Sequence, residues 1–190
     1  MKKIFQMLLV ACLLVLGTQA AFANSDKEVL QEGADIVSVR SVAVASPLYM
    51  QTDEKAPDKA MLTKILYDSS NVVNDYTVVS YDTIVKHLQN DKNLDLTKVN
   101  RHVASKQFKD NVKDYADTYV VLTVANNNRV TFFFDVYQAG TNQLLYSYQI
   151  AGNSGDGNTV AAYTTMCEQF YKHFDRAKAA QEKAQKKNKK

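Results

Sequence analysis

The segment from Thr118 to Ile150, TYVVLTVANNNRVTFFFDVYQAGTNQLLYSYQI, decides the fold. Thr118–Ala125 is a continuous apolar run, as expected of a central strand buried on both faces. Asn126-Asn127-Asn128 makes a turn, and Arg129–Gln138 runs back. Ala139–Asn142 is a second turn, and Leu144–Ile150 forms a third strand. Two hairpins in succession give a three-stranded antiparallel meander. Within it Val130, Phe132, Phe134 and Val136 alternate with Thr131, Phe133, Asp135 and Tyr137, so the two sets point to opposite faces. In the last strand Leu144, Tyr146, Tyr148 and Ile150 are expected to share one face. The other face is mixed, with aromatic side chains set among polar ones, and suits a partner-binding surface. Phe133, Tyr137, Tyr146 and Tyr148 are the candidate contact residues.

Upstream, Asp35–Ser46 is rich in valine and reads as a strand ended by Pro47, since proline gives no donor to a ladder. Met61, Leu62, Ile65 and Leu66 follow helical spacing, with Asp58 placed to cap the start. Tyr76–Ser80 is expected to be a short buried strand. Asp82 is a candidate cap for a helix carrying Ile84, Val85 and Leu88, and a weaker helical pattern covers Leu96–Tyr115. The first two strands are joined through a helix, which favours a parallel pair. Downstream, Val160, Tyr163, Cys167, Phe170 and Phe174 step by three or four, one apolar helical stripe. The order β-α-β-α-α-β-β-β-α predicts an α/β protein, a single two-layer sandwich with a mixed sheet and a carboxyl-terminal helix.

The ends of the chain are of a different character. Lys2 and Lys3, the apolar run Met7–Leu16 and Ala21-Phe22-Ala23 form a secretory signal, residues 1–23. Ten apolar residues are well short of the ~20 needed to span a bilayer. Lipidation at Cys12 is disfavoured, because Leu13–Leu16 would follow the modified cysteine where a polar tether is usual. Cleavage after Ala23 leaves a single α/β domain over 24–175 and a Lys-rich tail over 176–190. The protein is then exported, to the periplasm or the exterior. Only Cys167 remains, so no disulfide forms within the mature chain, and its apolar surroundings make it a structural thiol.

The 190 residues carry a net charge of +3. Lys172–Lys190 holds eight Lys and Arg against two Asp and Glu, a net +6. Setting aside this segment and the signal's two lysines leaves −5 on residues 24–171. The fold itself is acidic, which removes the case for nucleic-acid binding. Lys183, Lys186, Lys187, Lys189 and Lys190 are candidates for contact with anionic envelope polymer or lipid, at about 1 kcal/mol per lysine near such a surface. The tail has no apolar side chain larger than Ala and is expected to fray into solvent.

No catalytic constellation stands out. His87, His102 and His173 fall on separate helices without a partner at ligand spacing, so no metal site is expected. Walker, nucleophile-elbow and Cys-x-x-Cys motifs are all missing, and no cofactor is expected. The alternative site is the loop Gly152–Thr159, whose Gly152, Gly155, Gly157 and Thr159 could turn backbone amides towards an anion at a helix start.

The strand "VAVASP", the helix "AMLTKILYDSS" and the segments "YTVVSYDTIVKHL", "YADTYVVLTV" and "FFFDVYQAGTNQLLYSYQI" together carry a resemblance. They are similar to the α/β domain shared by the curli-secretion lipoprotein, the lipoprotein activators of penicillin-binding proteins and the amino-terminal domain of the Tol-Pal propeller protein. The resemblance covers about Ser41–Ile150 and is one of hydrophobicity and turns. It implies a non-enzymatic envelope module that binds an envelope protein, and it supplies no catalytic residues. Two departures bear on function. A lipid-anchoring cysteine in its usual setting is missing, and no long hairpins interrupt the meander, so pore formation is not carried over.

Overall fold

The computed structural model describes residues 26–50, 56–126, 129–152 and 157–188. The signal and Cys12 lie outside the described residues. The meander forms as expected: β5 (Thr118–Asn126), β6 (Val130–Gln138) and β7 (Leu144–Ala151) pair antiparallel. β2 (Ser41–Val44) lies parallel to β5, and β4 (Thr77–Val79) lies parallel to β2 on its other side. Two short strands were not foreseen. β1 (Lys27–Leu30) adds antiparallel to β7, and β3 (Leu48–Tyr49) pairs with the end of β5. The sheet thus runs β1-β7-β6-β5-β2-β4.

The helices are α1 (Lys59–Asp68), α2 (Tyr81–Lys92), α3 (Arg101–Asn111) and α4 (Val160–Asn188). Asp58 caps α1 as expected, its carboxylate accepting from the Met61 N–H at 2.8 Å. Ser80, not Asp82, caps α2, accepting from the Thr83 N–H, and Asp82 sits in the first turn. Asn100 caps α3. α3 is shorter than the pattern Leu96–Tyr115, because Asp95–Asn100 forms a turn held by the Asp95 carboxylate.

The first strand is also shorter than Asp35–Ser46. Ile36 and Val39 are both buried, and the Val39 N–H reaches back to the Ile36 carbonyl, so residues 35–39 turn and do not extend. A spacing of three between buried residues is a turn's signature, not a strand's.

The protein is an α/β sandwich on a mixed sheet. α1 and α4 cover one face completely, burying Leu62, Leu66, Phe132, Phe134, Phe170 and Phe174 in a single core. Phe134 stacks on Phe170 with centroids 4.5 Å apart and an interplanar angle of 6°, and Phe132 meets Tyr163 edge-on at 4.8 Å. Such pairs add about 0.5–1.5 kcal/mol to the area they bury. On the other face α2 and α3 supply a partial third layer over β2, β4 and β5, with Ile84, Leu88, Phe108 and Tyr119 at its centre.

α4 runs without a break to Asn188. Its docked part extends past the expected boundary at residue 175. Ala177 and Lys178 are buried, and the Lys178 ammonium donates to the Val39 carbonyl at 2.8 Å. The Gln181 amide oxygen accepts from the N–H groups of Ile36 and Val37, and its NH2 donates to the Ala34 carbonyl. Fraying from Arg176 is therefore not observed. Four polar side chain to backbone bonds hold what an apolar face could not.

Candidate functional site

The third layer stops short. Over β1, β7 and most of β6, no described helix covers the sheet face opposite α4. Strand pairing places Thr131, Phe133 and Asp135 of β6, Ser147 and Gln149 of β7, and Lys27 and Val29 of β1 side by side on it. None belongs to either buried core. Val29 is 50% exposed and Phe133 is partly exposed. The Asp135 carboxylate accepts from the Ser147 hydroxyl at 2.6 Å, which fixes the polar side of the patch. An aromatic ring and a valine ringed by Thr, Ser, Gln and Lys is the make-up of a protein interface, apolar at the centre and polar at the rim.

The four expected contact residues do not come together here. Only Phe133 lies on the open face. Tyr146 and Tyr148 are 0% and 1% exposed, packed under α4 against Phe174 and His173. They take no part in an external surface, because their face of the sheet is the one α4 seals. Tyr137 points to the same side as Phe133 but is claimed by the third layer. It stacks on Tyr119 at 5.3 Å, and Tyr119 in turn donates to the Asn142 side chain. Leu144 was expected to share a face with Tyr146, and it does not. The register shifts between Val136 and Tyr137, with Leu145 as the extra residue, so Leu144 pairs with Tyr137 while Tyr146 pairs with Val136. A bulge of this kind reverses the facing of whatever precedes it.

The residues missed from the sequence are Val29, Thr131 and Gln149. The last two were legible from strand alternation. Val29 lies in β1, four residues with no periodic signal that become a strand only through pairing with β7.

The alternative loop site is less suited to an anion than its glycines suggested. Gly155 lies outside the described residues. The Gly152 N–H is already donated to the Val130 carbonyl at 2.8 Å, and the Thr159 hydroxyl accepts from the Ala162 N–H at the start of α4. Gly157 has φ +62° and is exposed. The depression beside this loop is lined by Asp26, Gly152, Thr159, Thr165 and Gln169, with no Lys or Arg among its described lining residues. Its one charged group is of the wrong sign for an anion.

Lys183, Lys186 and Lys187 are exposed on the last turns of α4, and Lys189 and Lys190 lie outside the described residues. Lys186 is paired with Glu182, one turn earlier. Cys167 is fully buried, and that burial pushes its thiol well above the ordinary range. A neutral, sealed thiol is structural, as expected. Among the described residues no group of His, Cys, Asp and Glu is placed to hold a metal ion, and no helix is long and apolar enough to cross a membrane.

No family model matches the sequence, and no curated protein matches it. Similarity is found among solved structures. The LpoB C-terminal domain from Escherichia coli is 16% identical, covering 64% of this chain and 89% of that one, with a TM-score of 0.49. Lipoprotein GNA1162 from Neisseria meningitidis is 12% identical over 72% and 99%, with a TM-score of 0.44. A DUF4136 family protein from Bacteroides thetaiotaomicron is 6% identical over 81% and 98%, with a TM-score of 0.43. One of the three is described as a lipoprotein and another as a DUF4136 family protein, and together they single out no member. At such identities and scores they describe a shared arrangement of strands and helices, and no functional residue is taken from them.

Proposed function

We propose that this protein is an exported, non-enzymatic accessory module of the bacterial cell envelope that binds a protein partner through the open half of its sheet. The observation that carries the reading is the unequal cover of the sheet. One face is sealed by α1 and the 29-residue α4, while among the described residues no helix covers the other over three strands, with Phe133 at its centre. Phe133 is flanked by Thr131 and Asp135 along β6 and by Gln149 across to β7, so the patch favours a protein surface over a lipid one.

Placing a photo-crosslinking amino acid at position 133 in living cells tests this. A discrete protein adduct is expected, lost when Gln149→Arg and Thr131→Arg crowd the patch, and absent when the same probe replaces the exposed Tyr67 on α1. Adducts identical at 133 and 67, or none at 133 in a correctly folded protein, overturn the proposed surface.

A second reading concerns the end of α4. Lys183, Lys186 and Lys187 stand on a helix held as far as Gln181, so they are presented away from the domain. Attachment to anionic polymer or lipid through them predicts salt-sensitive sedimentation with envelope fractions, abolished by deletion of Lys183–Lys190. Salt-insensitive attachment rules it out.

A further inference from the structure

The carboxyl ends of β2 and β4 lie side by side, and the chain leaves them in opposite directions. From β2 it returns through α1 on the sealed face. From β4 it crosses through α2 and α3 on the other. Two neighbouring parallel strands with diverging exits leave a crevice beyond their ends, the place where open α/β sheets take ligands.

The crevice itself is an open depression lined by Ser46, Ser80 and Tyr81 with Asp58, Asp68 and Asp82, and beside it, against α3 and β5, lies a cleft of about 330 Å3. Ala45, Leu96, Phe108 and Val121 give it an apolar floor, and Tyr81 forms one wall. The volume is at the small end of the range for ligand sites, roughly 300–1,000 Å3. Lys59, Arg101 and Lys109 also line it, while none of its described lining residues is acidic.

Ion pairing divides the cations of the fold, and Lys27, Lys86 and Lys113, like the three in the cleft, are in no ion pair among the described residues. Lys64, Lys92, Lys98, Lys106, Lys172 and Lys186 each hold an Asp or Glu. Among the described residues, no ion pair engages Lys59, Arg101 or Lys109. Of the neighbouring carboxylates, Asp58 caps α1, Asp110 binds Lys106 and Asp135 accepts from Ser147, while Asp82 stands next to Tyr81 outside the cleft. On a fold of net −5, three unclaimed cations converge on one apolar hollow.

We propose that this cleft binds a small organic anion. Its apolar body lies against Phe108 and Val121, and its carboxylate or phosphate-ester head is held by Arg101, Lys109 and Lys59. Arginine offers a two-pronged donor that matches either head, and the lysines add charge. The site is independent of the open sheet face, so each can fail without the other.

Calorimetric titration of the mature chain at low salt with 2-naphthoate, 1-naphthyl phosphate, neutral 2-naphthamide and inorganic phosphate tests it. Saturable binding of one or both naphthyl anions is expected, with the amide and inorganic phosphate at least tenfold weaker. The tighter of the two anions identifies the head group. Arg101→Gln, at an exposed position, and Lys109→Gln, at a partly exposed one, are expected to weaken binding at least fivefold without lowering the melting temperature. Ala104→Leu, which fills the cleft, should abolish binding, while Phe133→Ser leaves it unchanged. No saturable binding of either anion overturns the site. So does equal binding of the amide, or binding that ignores both charge-removing variants. Inorganic phosphate binding as tightly as the naphthyl anions overturns the role given to the apolar floor and with it the assigned ligand class.

Discussion

Phe133 and Phe134 are adjacent in sequence, belong to the same strand and live in different worlds. Phe134 has no exposed surface and lies between Phe170, Tyr148 and Phe132 under α4. Phe133 faces the opposite way, beside Thr123 and Gln149 on the neighbouring strands, with no described helix above it. Pleating by itself separates the two. Their different fates come from what each face is given to pack against: a long aromatic helix on one side, and on the other two short helices that stop at β5. A sheet needs one well-covered face for stability, and the other is then free for a different use.

Substitutions that treat the two sides alike sharpen the contrast. The largest effect is expected at the sealed face, where Phe134→Ala should cost about 3–5 kcal/mol in urea unfolding. The same variant should speed alkylation of Cys167, whose buried thiol reacts only when the helix lifts. Next comes Lys178→Ala, which removes the bond to the Val39 carbonyl and the ammonium 4.6 Å from the Tyr76 ring centroid. A buried acceptor left alone and a lost aliphatic stem together should cost about 2–3 kcal/mol. Phe133→Ser should change stability by no more than about 1 kcal/mol, and a loss comparable to that at Phe134 would show that the open face is covered in solution.

The smallest effect is expected at the surface turn that precedes α3. Asp95 accepts from the Thr97 hydroxyl, from Lys98 and from the Thr97 N–H, in that order of weight, and its carboxyl is held down to about 2. A depressed carboxyl supports the fold above the ordinary carboxylate range and loses that support as pH falls towards 2. Because Asp95 is at the surface, the support is slight. NMR titration should place its midpoint near 2 in the wild type and higher, towards the ordinary range, after Thr97→Val combined with Lys98→Gln, the Thr97 N–H still holding part of the depression.

How far the sequence speaks for itself differs between elements for physical reasons. β5, β6 and β7 were readable almost to the residue, since strict alternation and polar turns are local signals. The second turn even states its own requirement: Gly140 has φ +86°, where its Lys113 neighbour would sit 3.3 Å from an added Cβ. The bulge at Leu145 was not readable, because nothing in LLYSYQI distinguishes the extra residue from its neighbours. Its consequence reached the candidate site, where Tyr146 and Tyr148 fell on the sealed side. β1 and the Gln181 bonds were equally silent, since both depend on partners more than a hundred residues away. The third layer could be placed only once β4 was known to lie beyond β2, which sends α2 and α3 across the opposite face.

The bonds from Lys178 and Gln181 to Ala34–Val39 join positions about 145 residues apart in a chain of 190. Contacts of that span close the largest loop the domain contains, and they cannot form before the carboxyl-terminal helix has been delivered. The emerging chain therefore stays unlatched at its leading end until its trailing end arrives. A turn that is latched only from the last helix stays open until that helix has docked.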